Sequence, residues 1–222
     1  MNQIFYLFII TEIIFSQTKL INTNLVSKIK SNDISAVWLS KFPVLHTDGN
    51  NRLIFQYGYS IANPYNSNWF MISPNIDFGL KVLKNISITS KLNGVSFGEE
   101  FFHIIGGGIQ YFYGRNDTLN WVTCIQRVNL NAGKDFRLTT ITMDFRKLIN
   151  WKSIQFRIGI GSNFYKKTLY DNTVFRLINK KSQINFIGLD AIVFYRNLNF
   201  GIDMYITPNG IINSLFIQKQ FL

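Results

Sequence analysis

The sequence predicts an all-β fold: a closed antiparallel up-and-down transmembrane β-barrel of about ten strands. Three observations predict it. Apolar and polar residues alternate along many stretches, the only continuous apolar run lies at the N-terminus, and short turn-like connections separate the alternating stretches. Barrels of twelve or eight strands are the alternatives to this count.

The clearest alternation lies in residues 198–206. One parity carries leucine, phenylalanine, isoleucine and methionine, and the other carries asparagine, glycine, aspartate and tyrosine. Successive strand side chains point to opposite faces, so one face of this strand is apolar and the other polar. Residues 53–61 and 154–161 repeat the pattern. A barrel wall with lipid outside and polar groups inside has this alternation.

The same alternation and the turn signals between stretches divide the chain into strands. Ten strands are predicted over residues 52–62, 70–83, 86–98, 102–113, 119–131, 136–149, 152–165, 182–195, 198–207 and 211–221. If the C-terminus is periplasmic, the two longest connections, 63–69 and 166–181, both lie outside. Short periplasmic turns and longer external loops are typical of bacterial outer-membrane barrels.

Composition and charge exclude several classes of protein. Charged residues make up 16% of the 222 residues, below the roughly one quarter that is usual in soluble domains. The formal net charge is +11, but lysine and arginine are scattered and form no basic helix or run. We therefore expect no nucleic-acid partner and instead basic connections beside anionic lipid head groups. The single cysteine, Cys124, excludes an intramolecular disulfide framework.

The N-terminal residues predict export. The apolar stretch 4–15 is interrupted by Thr11 and Glu12 and is shorter than the roughly 20 residues of a membrane-spanning helix. It is typical of a signal peptide over residues 1–16, cleaved after Ser16 or Gln17. The predicted barrel then occupies residues 52–222. Residues 17–51 are predicted to form an N-terminal segment that is either periplasmic or a plug in the lumen.

Residues 34–42 of that segment have two possible interpretations, as a helix or as a strand. Asn32 or Asp33 could cap a short amphipathic helix that ends before Pro43. The stretch 34–42 could also form a strand, but an eleventh strand would break the even strand number of bacterial single-chain barrels. We therefore prefer ten strands preceded by a non-strand segment.

The export signal, the alternating strands and the closing segment 215–222 together resemble a Gram-negative outer-membrane β-barrel protein, with no narrower family indicated. The resemblance implies localisation in the outer membrane of a Gram-negative bacterium and contact with outer-membrane lipid. It also implies that the barrel-assembly machinery is a partner that reads Phe221, near the end of the last strand, as an assembly signal.

Polar residues of the inward parity are the candidate site. Opposite charges inside a narrow wall can pair across the lumen and close it, and about ten strands enclose only a narrow lumen. The predicted lumen-facing polar residues are Asp77, Lys81, Lys91, Gln110, Asp144, Gln155, Arg157, Asp190 and Asp203.

Signs of catalysis are sparse. The two histidines, His46 and His103, do not have the spacing of a two-histidine zinc site, and the sequence has no Gly-x-Ser-x-Gly motif. We therefore predict no catalytic, cofactor or metal site. The predicted function is a non-enzymatic outer-membrane barrel with a narrow or plugged lumen, in an envelope-structural, adhesion or partner-binding role with an envelope protein. Two alternatives stay open: a small pore or transporter for a solute or lipid, and a soluble secreted barrel or sandwich that binds a ligand.

Overall fold

A computed structural model of the chain describes residues 33–42, 45, 52–65, 71–97, 100–114, 119–132, 136–171, 176–195 and 198–221. At residues 71, 94–97, 100–102, 132, 170–171 and 176–178 it describes the backbone alone. The predicted signal peptide, residues 17–32 of the predicted N-terminal segment, and His46 lie outside the described residues.

The described chain begins with one short helix, α1 (Ile34–Leu39), and continues as ten strands. The strands are β1 (Leu53–Pro64), β2 (Met71–Leu83), β3 (Ile86–Phe97), β4 (Glu100–Tyr113), β5 (Trp121–Ala132), β6 (Phe136–Trp151), β7 (Ile154–Asp171), β8 (Arg176–Tyr195), β9 (Leu198–Thr207) and β10 (Gly210–Phe221).

These strands form one closed antiparallel barrel, which confirms the predicted fold class and the count of ten. Each strand pairs with its neighbours in sequence, and β1 pairs with β10. The closing register runs from Leu53 opposite Phe221 to Pro64 opposite Gly210. Closure pairs the backbone groups of both terminal strands and leaves no sheet edge there, as a strand structure in lipid requires.

The two ends of the barrel differ. At one end, which we call the turn end, residues 84–85, 152–153 and 196–197 connect consecutive strands. At the opposite end, the loop end, β7 has 18 residues and β8 has 20, against 10 in β9. The predicted connection at 166–181 is therefore wrong over most of its length, because Lys166 to Asp171 pair in register with residues 176–181.

The outward parity of the wall is apolar across its middle. On β7 the outward residues Phe156, Ile158 and Ile160 are exposed, and Ile160 has the largest exposed fraction of these, 65%. Aromatic side chains mark the turn end of this band: Trp121 stacks on Phe145 with ring centroids 5.0 Å apart. Aromatic rings at the edge of an apolar band are typical of the membrane–water interface.

An arginine in this band tests whether lipid covers it. Replacing Ile160 with arginine is expected to lower the free energy of unfolding in lipid by about 2–4 kcal/mol, because a cation at mid-bilayer must leave water. Denaturant unfolding in liposomes measures the change. The control is Ser153→Arg, which adds the same side chain at an exposed turn position. Equal losses in both variants would contradict a lipid-covered band.

Helix α1 and the residues after it lie inside the barrel. We call residues 33–42 and 45 the inner segment. All six residues of α1 are buried, and the helix reading of residues 34–39 is correct. Asp33, one of the two predicted residues, is the N-cap, but its side chain makes no capping hydrogen bond and instead contacts Lys180 Nζ at 2.7 Å. Among the described residues, no helix is long and apolar enough to cross a membrane.

The inner segment runs from the loop end towards the turn end. At the loop end, Asp33 contacts Lys180 of the long hairpin. Further along, Phe42 packs against Phe112 and Leu148, near the turn ends of their strands. A helix of six residues is too short to be stable alone, so the surrounding wall stabilises α1.

Candidate functional site in the barrel interior

The structure places eight of the nine predicted lumen-facing residues in the interior, each with 4% exposure or less. They are Asp77, Lys91, Gln110, Asp144, Gln155, Arg157, Asp190 and Asp203. The ninth, Lys81, is half-buried at the turn end of β2, where the β2–β3 register shifts. The alternation of each strand thus brings the eight buried side chains from seven strands into one interior.

Each of the four buried aspartates contacts a buried cation. Asp77 pairs with Lys91 at 3.0 Å, and these residues are register partners on β2 and β3. Isolated buried charges are costly, whereas paired and hydrogen-bonded ones are tolerated. Pairing of opposite charges therefore explains how these ionisable side chains can be buried in the barrel interior.

The largest charge cluster lies where β6, β7 and β8 meet. Arg146 contacts both Asp144 and Asp190, and Arg157 Nε donates to Asp190 Oδ2 at 3.0 Å. The Arg146 guanidinium also lies 4.9 Å from the ring centroid of Tyr205. We call Asp144, Arg146, Arg157 and Asp190 the central cluster. It links the inner faces of these three consecutive strands with two cations and two carboxylates, so these charges pair between neighbouring strands rather than across the lumen.

A glycine makes room for this cluster. A Cβ atom at Gly188 would lie 2.7 Å from Arg146 Nη2, closer than atoms in contact can approach. Gly188 pairs with Gly159 across the β7–β8 ladder. Two glycines opposite each other leave the inner wall flat where the guanidinium lies.

The fourth aspartate pairs with the inner segment rather than with the wall. Lys41 Nζ lies 2.9 Å and 2.7 Å from the two carboxylate oxygens of Asp203, and it also contacts Ser214 Oγ. Both side chains of the ion pair are at most 2% exposed. Without Lys41, Asp203 would lack this cation in a buried position.

Polar contacts also anchor the inner segment to the wall on several sides. Trp38 Nε1 donates to Ser60 Oγ at 2.9 Å. Ser40 accepts hydrogen bonds from Asn163 Nδ2 at 2.6 Å and Thr142 Oγ1 at 3.2 Å, and its carbonyl accepts one from Gln126 Nε2 at 3.3 Å. These wall residues lie on four different strands, so the segment contacts much of the circumference.

Apolar packing completes the filling of the loop-end half. The helix side chains pack against inward apolar residues from both sides of the barrel. That wall set is Ala62, Ile104, Val128, Leu130, Phe136, Leu138, Tyr165, Ile184, Phe186, Tyr205 and Ile212. Burying an apolar side chain of this size contributes about 1.5–3 kcal/mol. The interior is therefore a packed core in this half rather than an aqueous channel.

The described residues include one histidine, one cysteine and four buried aspartates. No group of three or more histidine, cysteine, aspartate or glutamate side chains among them could hold a metal ion. His103 is exposed near the loop end of β4, away from the central cluster. Cys124 is buried beside Phe42. The buried carboxylates are held by cations and have the arrangement of a structural network.

Two important residues escaped the sequence analysis. Arg146 follows Asp144 by two positions on β6 and so shares its face, and extending the alternation would have found it. Lys41 carried no such signal, because it lies outside the strands. Phe221, the predicted assembly signal, is half-buried at the end of β10 opposite Leu53.

No known protein-family model matches this chain, and a search of curated proteins finds no match. Among solved structures, the chain is similar to the translocator domain of autotransporter NalP from Neisseria meningitidis, with 8% identity and a TM-score of 0.44 over 78% of this chain and 90% of that one.

Two further solved structures are similar. A KdgM porin in complex with disordered oligogalacturonate has 7% identity and a TM-score of 0.43 over 76% of this chain and 99% of that chain. A bacterial polysaccharide outer membrane secretin has 6% identity and a TM-score of 0.42 over 79% of this chain and 100% of that chain. At such identities and TM-scores, no function is transferred from these proteins to this chain.

Proposed function

We propose that this protein is a non-enzymatic outer-membrane barrel of a Gram-negative bacterium whose lumen is closed by its own inner segment. The buried ion pair between Lys41 and Asp203 carries the proposal, because it joins the segment to the wall by charge as well as by packing. The closed strand order and the apolar outer band support the membrane placement. Phe221 at the end of β10 supports recognition by the barrel-assembly machinery.

The apolar exterior also argues against a soluble secreted ligand-binding protein. In a soluble barrel the outward side chains would be mostly polar, whereas the exposed outward positions here include Ile109, Ile202 and Leu215. Apolar surfaces of this extent mark a membrane or a large interface. A protein that stays folded and monomeric without detergent would contradict the membrane placement.

The loop end supplies the surface on which a partner could act. Pairing between β8 and β9 begins at Ile187 opposite Ile206, so residues 176–186 of β8 extend beyond the paired part of β9. The hairpin of β7 and β8 therefore projects past the neighbouring β9–β10 turn. A projecting hairpin on a rigid barrel favours a role in adhesion or in binding another envelope protein.

A small pore is the second candidate function. It is favoured by the position of Lys41, which belongs to the inner segment and not to a strand of the wall. Movement of this segment would remove α1 and much of the apolar filling together. In this alternative the resting barrel is closed and a solute or lipid passes only after the segment moves.

Two measurements on the unaltered protein separate these functions. For a closed barrel, purified protein in planar bilayers is expected to give no stepwise conductance. Because Cys124 is buried beside Phe42 of the inner segment, water-soluble thiol reagents are expected to label it only after heat unfolding. Heat-modified gel mobility confirms that the labelled sample was folded. Stepwise currents together with Cys124 labelling of the folded protein would show that the inner segment leaves the lumen, which contradicts a permanently closed barrel and favours the pore.

A further inference from the structure

Four lysines occupy two consecutive rungs of the β7–β8 ladder. Lys166 lies opposite Lys181, and Lys167 lies opposite Lys180. Like charges directly opposite each other destabilise a strand pair. Anions close to these two rungs would offset the repulsion between the paired lysines.

The inner of these two rungs has its anion within the protein. Lys167 is buried and points into the barrel. Its register partner Lys180 contacts Asp33 of the inner segment at 2.7 Å. The carboxylate of the inner segment thus offsets the charge on the lumen side of the hairpin.

Among the described side chains, none supplies such a carboxylate to the outer rung. Lys166 and Lys181 are exposed on the outward face, and within the part of the chain that the structure describes no carboxylate forms an ion pair with either of them. Arg127 and Arg137 are exposed on the outward faces of the adjacent strands β5 and β6. We call these four residues the outer basic patch.

A groove beside the outer basic patch joins it to the apolar band. The groove has a volume of about 500 Å³, and its lining includes Ile141, Phe164, Lys166, Lys181 and Gln183. Ile141 and Phe164 are 42% and 41% exposed and continue the apolar wall towards the turn end. The surface therefore offers an apolar floor for an acyl chain and ammonium groups at the edge of the band for an anionic head group.

We propose that this groove binds a phosphorylated glycolipid of the lipid A type from the outer leaflet. The lysines and arginines contact its phosphates, and its acyl chains lie against Ile141 and Phe164. This inference rests on the proposed function and takes the loop end as the outer side, where the longer connections of bacterial outer-membrane barrels lie. It adds a lipid-binding site that closure of the lumen does not require.

Native mass spectrometry of the full-length protein in detergent tests this proposal with bisphosphorylated lipid A as the probe. The variant Lys166→Gln/Lys181→Gln is expected to bind about 25-fold more weakly, since each lysine at an anionic lipid surface contributes about fivefold. Lys166→Arg/Lys181→Arg keeps both charges and is expected to retain binding. The matched control is Lys147→Gln, which removes an outward lysine near the turn end and is expected to have no effect.

Three outcomes would overturn the site. They are unchanged lipid A binding in the double glutamine variant, an equal loss in the Lys147→Gln control, and equally strong, lysine-dependent binding of phosphatidylglycerol. The last would assign the patch to anionic phospholipid. Heat-modified mobility of every variant is measured in parallel, so a failure of the barrel itself is distinguished from a failure of the lipid site.

Discussion

Replacing Arg146 with methionine is expected to lower the free energy of unfolding by at least about 3–5 kcal/mol, the cost of removing one partner from a buried ion pair. Arg146 contacts two carboxylates, those of Asp144 and Asp190. Asp190 keeps Arg157 at 3.0 Å, but Asp144 loses the cation that contacts it. Denaturant unfolding in detergent or liposomes, followed by tryptophan fluorescence, measures the loss.

A second substitution shows whether charge is the cause. The double variant Asp144→Asn/Arg146→Met removes the uncompensated carboxylate together with its cation, and it is expected to recover much of the lost stability. Arg52→Met, at an exposed position just before β1, is the control and is expected to change stability by about 0.5 kcal/mol or less. If the double variant were no more stable than Arg146→Met, lost packing rather than charge would explain the effect.

Reversing the charge of Lys41 is expected to release the inner segment. In Lys41→Glu a carboxylate faces Asp203 in a site that is at most 2% exposed, and two like charges in such a site repel strongly. We expect at least about tenfold faster labelling of Cys124 by a water-soluble thiol reagent. A tenfold change corresponds to about 1.4 kcal/mol in the opening equilibrium, which is well below the cost of burying an unpaired charge.

Exchanging the two charges should restore the closed state. Lys41→Glu/Asp203→Lys brings opposite charges together again and is expected to protect Cys124 as the unaltered protein does. Lys84→Glu is the control, because Lys84 is exposed at the β2–β3 turn. Unchanged labelling in Lys41→Glu would show that packing alone holds the segment. Planar-bilayer recording of the same variant shows whether release also opens a conducting path.

The wall of this barrel was predictable from local pattern. Alternation with period two assigns each strand residue to one of two faces, and the outward and inward sets are visible wherever apolar and polar residues alternate strictly, as in residues 198–206. The ten strands and the inward position of Asp190 and Asp203 follow from this rule. The extension of β7 and β8 through Lys166 and Lys181 did not, because a run of polar residues has the same composition whether it forms a loop or an exposed hairpin.

The sequence by itself determined a closed wall with an apolar outer face and charged inner positions, because strand geometry ties side-chain direction to position along the chain. Only the tertiary structure decided which charges pair and what fills the lumen. Arg146 reaches Asp190 on β8, and Lys41 reaches Asp203, 162 residues later in the chain. Such contacts depend on closure of the sheet and on the path of the inner segment, and no periodic pattern along the sequence encodes either distance.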